Sequence, residues 1–242
     1  MESQGKQSIL QPDQVFERYT IQKRLGKGGF GEVYLAKHNT LNSLVAIKVL
    51  FPNVAKQNKN FVDRFIREAR LASKIRHPNL IEVYDAGQNT ESGIYFIVME
   101  YVPGGNLSKL LKKSGILPFC QTIQIITETA QALNAAHHGQ MIHRDIKPDN
   151  IMFGEDGKVK LADLGIAKST ADEDTQLTVE ASVFGTPAYM APEQALDSKN
   201  VDARADIYSL GIVFFEMVTG QKPYKSGTMV EILTQVASRD DI

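Results

Sequence analysis

The sequence predicts an α+β protein in two lobes, a small and mostly antiparallel β-sheet lobe with one helix and a larger, mainly helical lobe. Three observations predict it. On both sides of the glycine-rich stretch near residue 28 apolar side chains alternate with polar ones, the period of half-buried strands, and further strands with one helix make residues 19–101 mostly sheet. Beyond residue 105 they recur at helical spacing, as at Leu107, Leu110 and Leu111, then at Ile123, Ile126, Ala130 and Leu133. The stretch YVPGGN, with Pro103, Gly104 and Gly105, interrupts both patterns and reads as a hinge over residues 102–105. The polar residues 1–18 read as a flexible leader, leaving one domain over residues 19–242 with lobes at 19–101 and 106–242.

The first element of the small lobe holds the first chemical signal. In LGKGGFGEVYLAKH, residues 25–38, Gly26, Gly28 and Gly31 stand in the spacing G-x-G-x-x-G, which holds backbone close to a phosphate. The same spacing opens dinucleotide-binding units, but there a helix must follow and aim its N-terminus at the pyrophosphate. Here Val33 and Leu35 alternate with Glu32 and Tyr34, as Ile21 and Leu25 alternate with Gln22 and Arg24 before the loop. The glycines therefore read as a turn between two strands, a flap over a ligand. VAIKVLF is the third strand, a helix covers residues 61–75, and two more strands lie near Ile81 and Ile94. His77-Pro78-Asn79 stops the helix.

Composition excludes several functions. The 242 residues are 43% hydrophobic and 23% charged, which is ordinary globular material. A net charge of −1 without a long basic block argues against nucleic acid as a partner. The most apolar run, residues 207–218, is broken by Glu216 and is far short of the ~20 residues a membrane span needs. The N-terminus lacks a signal-peptide core. The single cysteine, Cys120, beside Pro118 and Phe119, reads as a buried thiol in a reducing compartment, so the expected location is cytoplasmic, with a membrane tether if the native chain continues past Ile242.

Lys48 ends the apolar strand VAIK, where a charge must reach water or find an anionic partner. Glu68 offers one, because Phe61, Phe65, Ala69 and Ala72 must turn its helix onto the sheet that carries Lys48. Such a pair beneath the glycine loop aims an ammonium at phosphates. Further on, HRDIKPDN, residues 143–150, precedes two short strands, 151–153 and 158–161, around a turn at 154–157. A hairpin returns the chain to its start, so Asn150 and Asp163 come side by side as hard oxygen ligands suited to Mg²⁺. Asp145 and Lys147 fall in the same pocket.

With G-x-G-x-x-G-x-V ending at Val33, VAIK ending at Lys48, HRDIKPDN, DLG at Asp163, GTPAYMAPE from Gly185 to Glu193, and DIYSLG from Asp206, the chain resembles a eukaryotic-type Ser/Thr protein kinase. APEQ and the tyrosine of DIYSLG are similar to the bacterial branch. The resemblance runs from Tyr19 to about Ala237 and implies the bilobal protein-kinase-like fold with the active site in the cleft. It implies ATP and Mg²⁺, with Mn²⁺ as an alternative metal, and transfer of the γ-phosphoryl group to protein serine or threonine hydroxyls. Leu25, Gly26, Lys27, Gly28, Gly29, Phe30 and Gly31 would then form the loop over the phosphates, and Lys48 would contact the α and β groups. Val33, Ala46 and Met152 would sandwich the adenine, the backbone of Glu100 and Val102 would bond its edge, and Met99 would guard the rear. Asn150 and Asp163 would hold the metal, Asp145 would accept the hydroxyl proton, and Lys147 would stabilise the transferring group. His143 is implied to be structural and not the base.

Lys147 and Thr186 together imply Ser/Thr over Tyr acceptors. The hydroxyl-rich residues 169–184 are implied to be an activation loop, with Thr178 or Ser182 autophosphorylated and Arg144 pairing the phosphate; a second copy of the chain would serve that reaction. Leu164 replaces the commoner phenylalanine without loss of the metal-binding Asp163. The family's last large-lobe helices have no counterpart before Ile242, so Glu193, which closes the peptide-seating loop, is expected to be a buried carboxylate without its arginine. The chain is on that ground expected to be a fragment with a weakened large lobe. The competing reading, an ATP-binding pseudokinase or scaffold made inactive by truncation, has against it that Lys48, Glu68, Asp145, Asn150 and Asp163 are all present. A small-molecule phosphotransferase would not carry GTPAYMAPE.

Overall fold

A computed structural model of the chain describes residues 8–163, 187–196, 201–224 and 229–238. Two compact units divide it, Met1–Ser73 with Glu82–Tyr101, and Lys74–Ile81 with Val102–Ile242.

The first unit is a six-stranded sheet in the order β1-β2-β3-β4-β6-β5. Its strands are β1 (Val15–Phe16), β2 (Tyr19–Lys27), β3 (Gly31–His38), β4 (Leu44–Leu50), β5 (Val83–Gln88) and β6 (Tyr95–Glu100), paired antiparallel throughout. Two helices follow β4, a short α1 (Pro52–Gln57), which sequence periodicity does not predict, and α2 (Lys59–Ala72). Proline in the first turn of α1 needs no partner for a missing N–H, and Asn58 caps α2 by accepting the Phe61 N–H at 2.8 Å. The apolar face expected of α2 is the one it buries: Phe61, Phe65, Ala69 and Ala72. It packs on β5 and β6.

Two expectations are corrected here. Residues 8–18 are not a loose leader: Leu10 is 1% exposed and joins Phe16, Tyr19, Ile21, Tyr34, Ile47, Val49, Phe96 and Val98 in one apolar cluster. Asp13 donates to the Ile21 carbonyl at 2.8 Å and Ile21 to the Gln14 carbonyl at 2.9 Å, which ties the segment to β2. The face of β3 is also reversed. Glu32 and Tyr34, read as the polar side of the strand, are its most buried residues with Ala36, and Leu25 on β2 is exposed. The leader covers the Tyr34 face, and so converts the expected solvent side into core.

The second unit contains α3 (Leu107–Ser114), α4 (Phe119–His138), the hairpin β7 (Ile151–Phe153) and β8 (Val159–Leu161), α5 (Pro192–Leu196), α6 (Arg204–Thr219) and α7 (Met229–Ser238). Helix α4 packs on α6 and β8. Its buried face is Thr122, Ile125, Thr129, Ala132, Leu133 and Ala136, one step round from the expected one, and Ile123 is 41% exposed. Two threonines mislead a hydropathy reading; Thr129 sinks by donating its hydroxyl to the Ile125 carbonyl at 2.7 Å. Cys120, expected to be buried, is exposed in the first turn of α4 beside a 67% exposed Phe119, because that turn has not yet reached the buried face. Residues 74–81 belong to this unit although β5 begins two residues later: Leu161 donates to the Asn79 carbonyl at 2.8 Å and Ile81 to the Leu161 carbonyl at 3.0 Å.

Candidate active site

The glycine hairpin joins β2 to β3, closed by Gly28 N–H donating to the Gly31 carbonyl at 2.9 Å. The register steps from Arg24↔Tyr34 to Gly26↔Val33, so Leu25 is a bulge at the root of the loop. The glycines are not equivalent. A Cβ on Gly31 would lie 1.9 Å from the Val49 carbonyl oxygen, so this position is glycine for packing on β4. A Cβ on Gly26 would meet nothing within 4 Å, and on Gly28 only the Gly31 oxygen at 3.9 Å, so these two keep backbone bare toward open space, as approach of a phosphate requires. Phe30 is anchored, its carbonyl accepting the Phe51 N–H at 2.8 Å and its ring 4.8 Å from Phe61.

Strand register sorts the nucleotide candidates by face. Val33 pairs with Lys48 and Lys48 with Ile97; Leu35 pairs with Ala46 and Ala46 with Met99. Paired residues share a face and alternate residues keep it, so Val33, Ala46, Lys48 and Met99 stand together, opposite the face that packs on the leader. Lys48 is half-buried on this face and Glu68 half-buried on α2, in the same unit. Glu100 ends β6 in the first unit, and Val102, buried, belongs to the second.

In the second unit one side chain organises the HRDIKPDN loop. Asp206, in the first turn of α6 and 1% exposed, accepts the His143 N–H on Oδ2 at 2.8 Å and the Arg144 N–H on Oδ1 at 2.7 Å. His137 Nε2 from α4 lies 2.8 Å from the same Oδ2. Arg144 has φ of 61°, a left-handed conformation costing on the order of 1–3 kcal/mol for such a residue, which these bonds offset. Gln194 of α5 bonds the Arg144 carbonyl at 3.1 Å. Fully buried His143 accepts the Asp145 N–H on Nδ1 at 3.3 Å, which leaves Nε2 to donate to the Ala162 carbonyl at 2.8 Å. Both ring nitrogens bond backbone groups, so His143 ties the start of Asp145 to Ala162.

The loop so held brings the expected residues together. Lys147 Nζ lies 2.9 Å from Asp145 Oδ2; Asn150 Nδ2 donates to the Asp145 carbonyl at 2.8 Å and to Oδ2 at 3.1 Å. Asn150 thereby spends its amide nitrogen on Asp145 and leaves Oδ1 as the face for a cation. The hairpin turns at Gly157, with φ of 77°, and Ala162 donates to the Asn150 carbonyl at 2.8 Å, which sets Asp163 next to Asn150 in space. Asp163 has φ of 57°. Among the described residues no three His, Cys, Asp or Glu side chains converge, so protein groups alone make no closed metal cage there. Two hard oxygen donors fit a Mg²⁺ that keeps phosphate and water ligands. Met152 is half-buried on β7, and the hinge lies against this strand, Gly104 donating to the Phe153 carbonyl at 3.0 Å.

Thr178, Ser182 and Thr186 lie outside the described residues. Glu193 does not bear out its expected full burial: it is half-buried on α5. Nearby, burial and then the hydrogen bond to Glu216 Oε2 at 2.5 Å push the Tyr189 hydroxyl above the usual phenol range. Sequence reading assigned no role to Asp206, His137, Glu32 or Tyr34. Asp206 had a signal, the DIYSLG motif that it opens; the others depend on contacts far along the chain.

The protein kinase domain family model matches residues 19–240. The chain is 42% identical over 233 residues to the serine/threonine-protein kinase PknB of Mycobacterium leprae (strain TN), a match covering 96% of this chain and 37% of that protein. It is 42% identical over 215 residues to the serine/threonine-protein kinase PrkC of Bacillus subtilis (strain 168), covering 89% of this chain and 32% of that one. The chain thus spans about a third of the length of these curated relatives.

Proposed function

The chain belongs to the protein kinase domain family, and from that premise we propose that it transfers the γ-phosphoryl group of ATP to serine and threonine hydroxyls of proteins. The observation that carries this is the Asp145–Lys147–Asn150 cluster, held by the buried Asp206 and set beside Asp163 by the β7–β8 hairpin. A pseudokinase scaffold has no support: the relatives are named as kinases, and Lys48, Glu68, Asp145, Asn150 and Asp163 are all in place in the sequence.

ATP supplies the phosphoryl group, and Mg²⁺, with Mn²⁺ as a substitute, supplies charge neutralisation. The bare backbone of Gly26 and Gly28, with the loop from Leu25 to Gly31, covers the phosphates. Lys48, oriented by Glu68, would bind the α and β groups, and Asn150 Oδ1 and Asp163 would hold the metal. By the family resemblance, Val33, Ala46 and the Glu100 backbone are the adenine-binding groups of the first unit, and Met152 and the Val102 backbone those of the second. Asp145 orients the acceptor hydroxyl and takes its proton as the hydroxyl oxygen bonds to the γ-phosphorus and the bond to the β–γ bridging oxygen breaks, releasing ADP. Lys147 balances charge on the moving group. Little covalent work falls to the protein, so positioning and electrostatics carry the rate. Lys147 and Thr186 support Ser/Thr acceptors, and a second copy of the chain is the proposed partner for autophosphorylation at Thr178 or Ser182. No described helix is long and apolar enough to cross a membrane.

Incubation with Mg·ATP and a generic basic protein, followed by identification of the phosphorylated residue types, tests the reading. Phosphoserine and phosphothreonine are expected; phosphotyrosine alone, or no transfer with ATP bound, contradicts it.

A further inference from the structure

The buried carboxylate of Glu32 has no place in the chemistry described above, yet it sits one residue past the last glycine of the loop. It is 0% exposed, and its partners come from three separate stretches of chain. From the leader, the Ile9 N–H donates to Oε2 at 3.0 Å. From β3, the Tyr34 hydroxyl donates to the same oxygen and itself accepts the Leu10 N–H at 3.0 Å. From β2, Arg24 Nη1 bonds Oε1 at 3.0 Å and Lys27 Nζ lies 3.9 Å from it. Arg24 also reaches the Ser8 hydroxyl at 3.1 Å. Burial raises the Glu32 carboxyl, but the Tyr34, Ile9 and Arg24 bonds outweigh it and hold it below the usual range.

These partners surround the root of the glycine loop. Lys27 and Glu32 are the last facing pair before the turn, and Arg24 is the residue just before the Leu25 bulge. A carboxylate that grips both residues clamps β2 to β3 across the point where the ladder is interrupted. A bulge left alone gives a hairpin freedom to bend; here that freedom is removed by a charge-assisted knot. The leader's backbone closes the knot from outside, and Leu10 locks the leader by sinking into the core.

We propose that Glu32 is a positioning residue for the phosphate-covering loop and that leader residues 8–10 are the strap that holds it in place, so that nucleotide affinity depends on the strap. The inference rests on the reading that this loop covers ATP phosphates. Its signature is selective: weakening the knot should cost affinity for nucleotides with phosphates and spare adenosine, which the loop does not touch.

The test is binding of ATP, ADP and adenosine by the full chain and by Glu32→Gln and Tyr34→Phe, with thermal midpoints recorded alongside. Glu32→Gln keeps the shape but loses the charge; Tyr34→Phe removes only the hydroxyl that bridges the carboxylate to Leu10 and decides the matter if Glu32→Gln does not fold. The expected result is a loss of about 5- to 10-fold in ATP and ADP affinity with adenosine unchanged, and KM for ATP raised more than kcat is lowered. Equal losses for all three ligands would show a merely structural role, and unchanged ATP affinity in both variants would likewise overturn the proposal. Failure of the wild-type chain to bind ATP at all would instead overturn the functional reading beneath it.

Discussion

The two units fix their functional side chains by different physics. In the first, Val33, Ala46, Lys48 and Met99 stand where strand register puts them, over a sheet whose other face is packed with Ile47, Val49, Phe96 and Val98. In the second, Asp145, Lys147 and Asn150 lie in loops and a 3₁₀ turn, Pro148–Asn150, and their placement runs through a buried polar network from Asp206 to His143 and on to the Ala162 carbonyl. Apolar packing is graded, so small losses of volume cost little each. A polar network leaves orphaned donors when one member goes, and each orphan carries a desolvation penalty. Unit one should bend under mutation where unit two breaks.

The largest effect should follow from Asp206→Ala. It strips partners from the His143 and Arg144 amides, at about 1–3 kcal/mol for each buried donor left unsatisfied, and frees Arg144 from its left-handed conformation. We expect a loss of about 3 kcal/mol, seen as a fall of roughly 6–12 °C in thermal midpoint for a chain of this size. Phosphoryl transfer should fall further than stability explains. The smaller counterpart is Ile47→Val, which removes one methylene from the sheet's core and should cost about 0.5–1.5 kcal/mol with kcat nearly intact. If the two substitutions cost alike, the contrast between the units is wrong.

How much of this was legible before the structure depends on the range of the contacts. The β7–β8 hairpin was legible, because Asp156-Gly157 sets a local turn and the strands need no distant partner. From it followed the nearness of Asn150 and Asp163. The inward face of α2 was legible for the same reason, with four apolar residues at helical spacing and no polar intruder. Contacts far along the chain were not. Glu32 and Tyr34 read as the wet side of β3, since nothing local says that residues 8–10 will cover them. The buried face of α4 was displaced because Thr122 and Thr129 enter the core while Ile123 stays out. The role of Asp206 needed two backbone amides more than 60 residues away.

The most direct test of the account compares Asp145→Asn with Lys48→Met, measuring ATP affinity and the rate of transfer to a protein hydroxyl for each. Asp145→Asn should lower kcat by about 10²- to 10⁴-fold, the range of a lost general base, and leave ATP affinity nearly as in the wild type; Lys48→Met should damage both. Wild-type turnover in Asp145→Asn, with ATP still bound, would contradict the assignment of phosphoryl transfer to this catalytic loop.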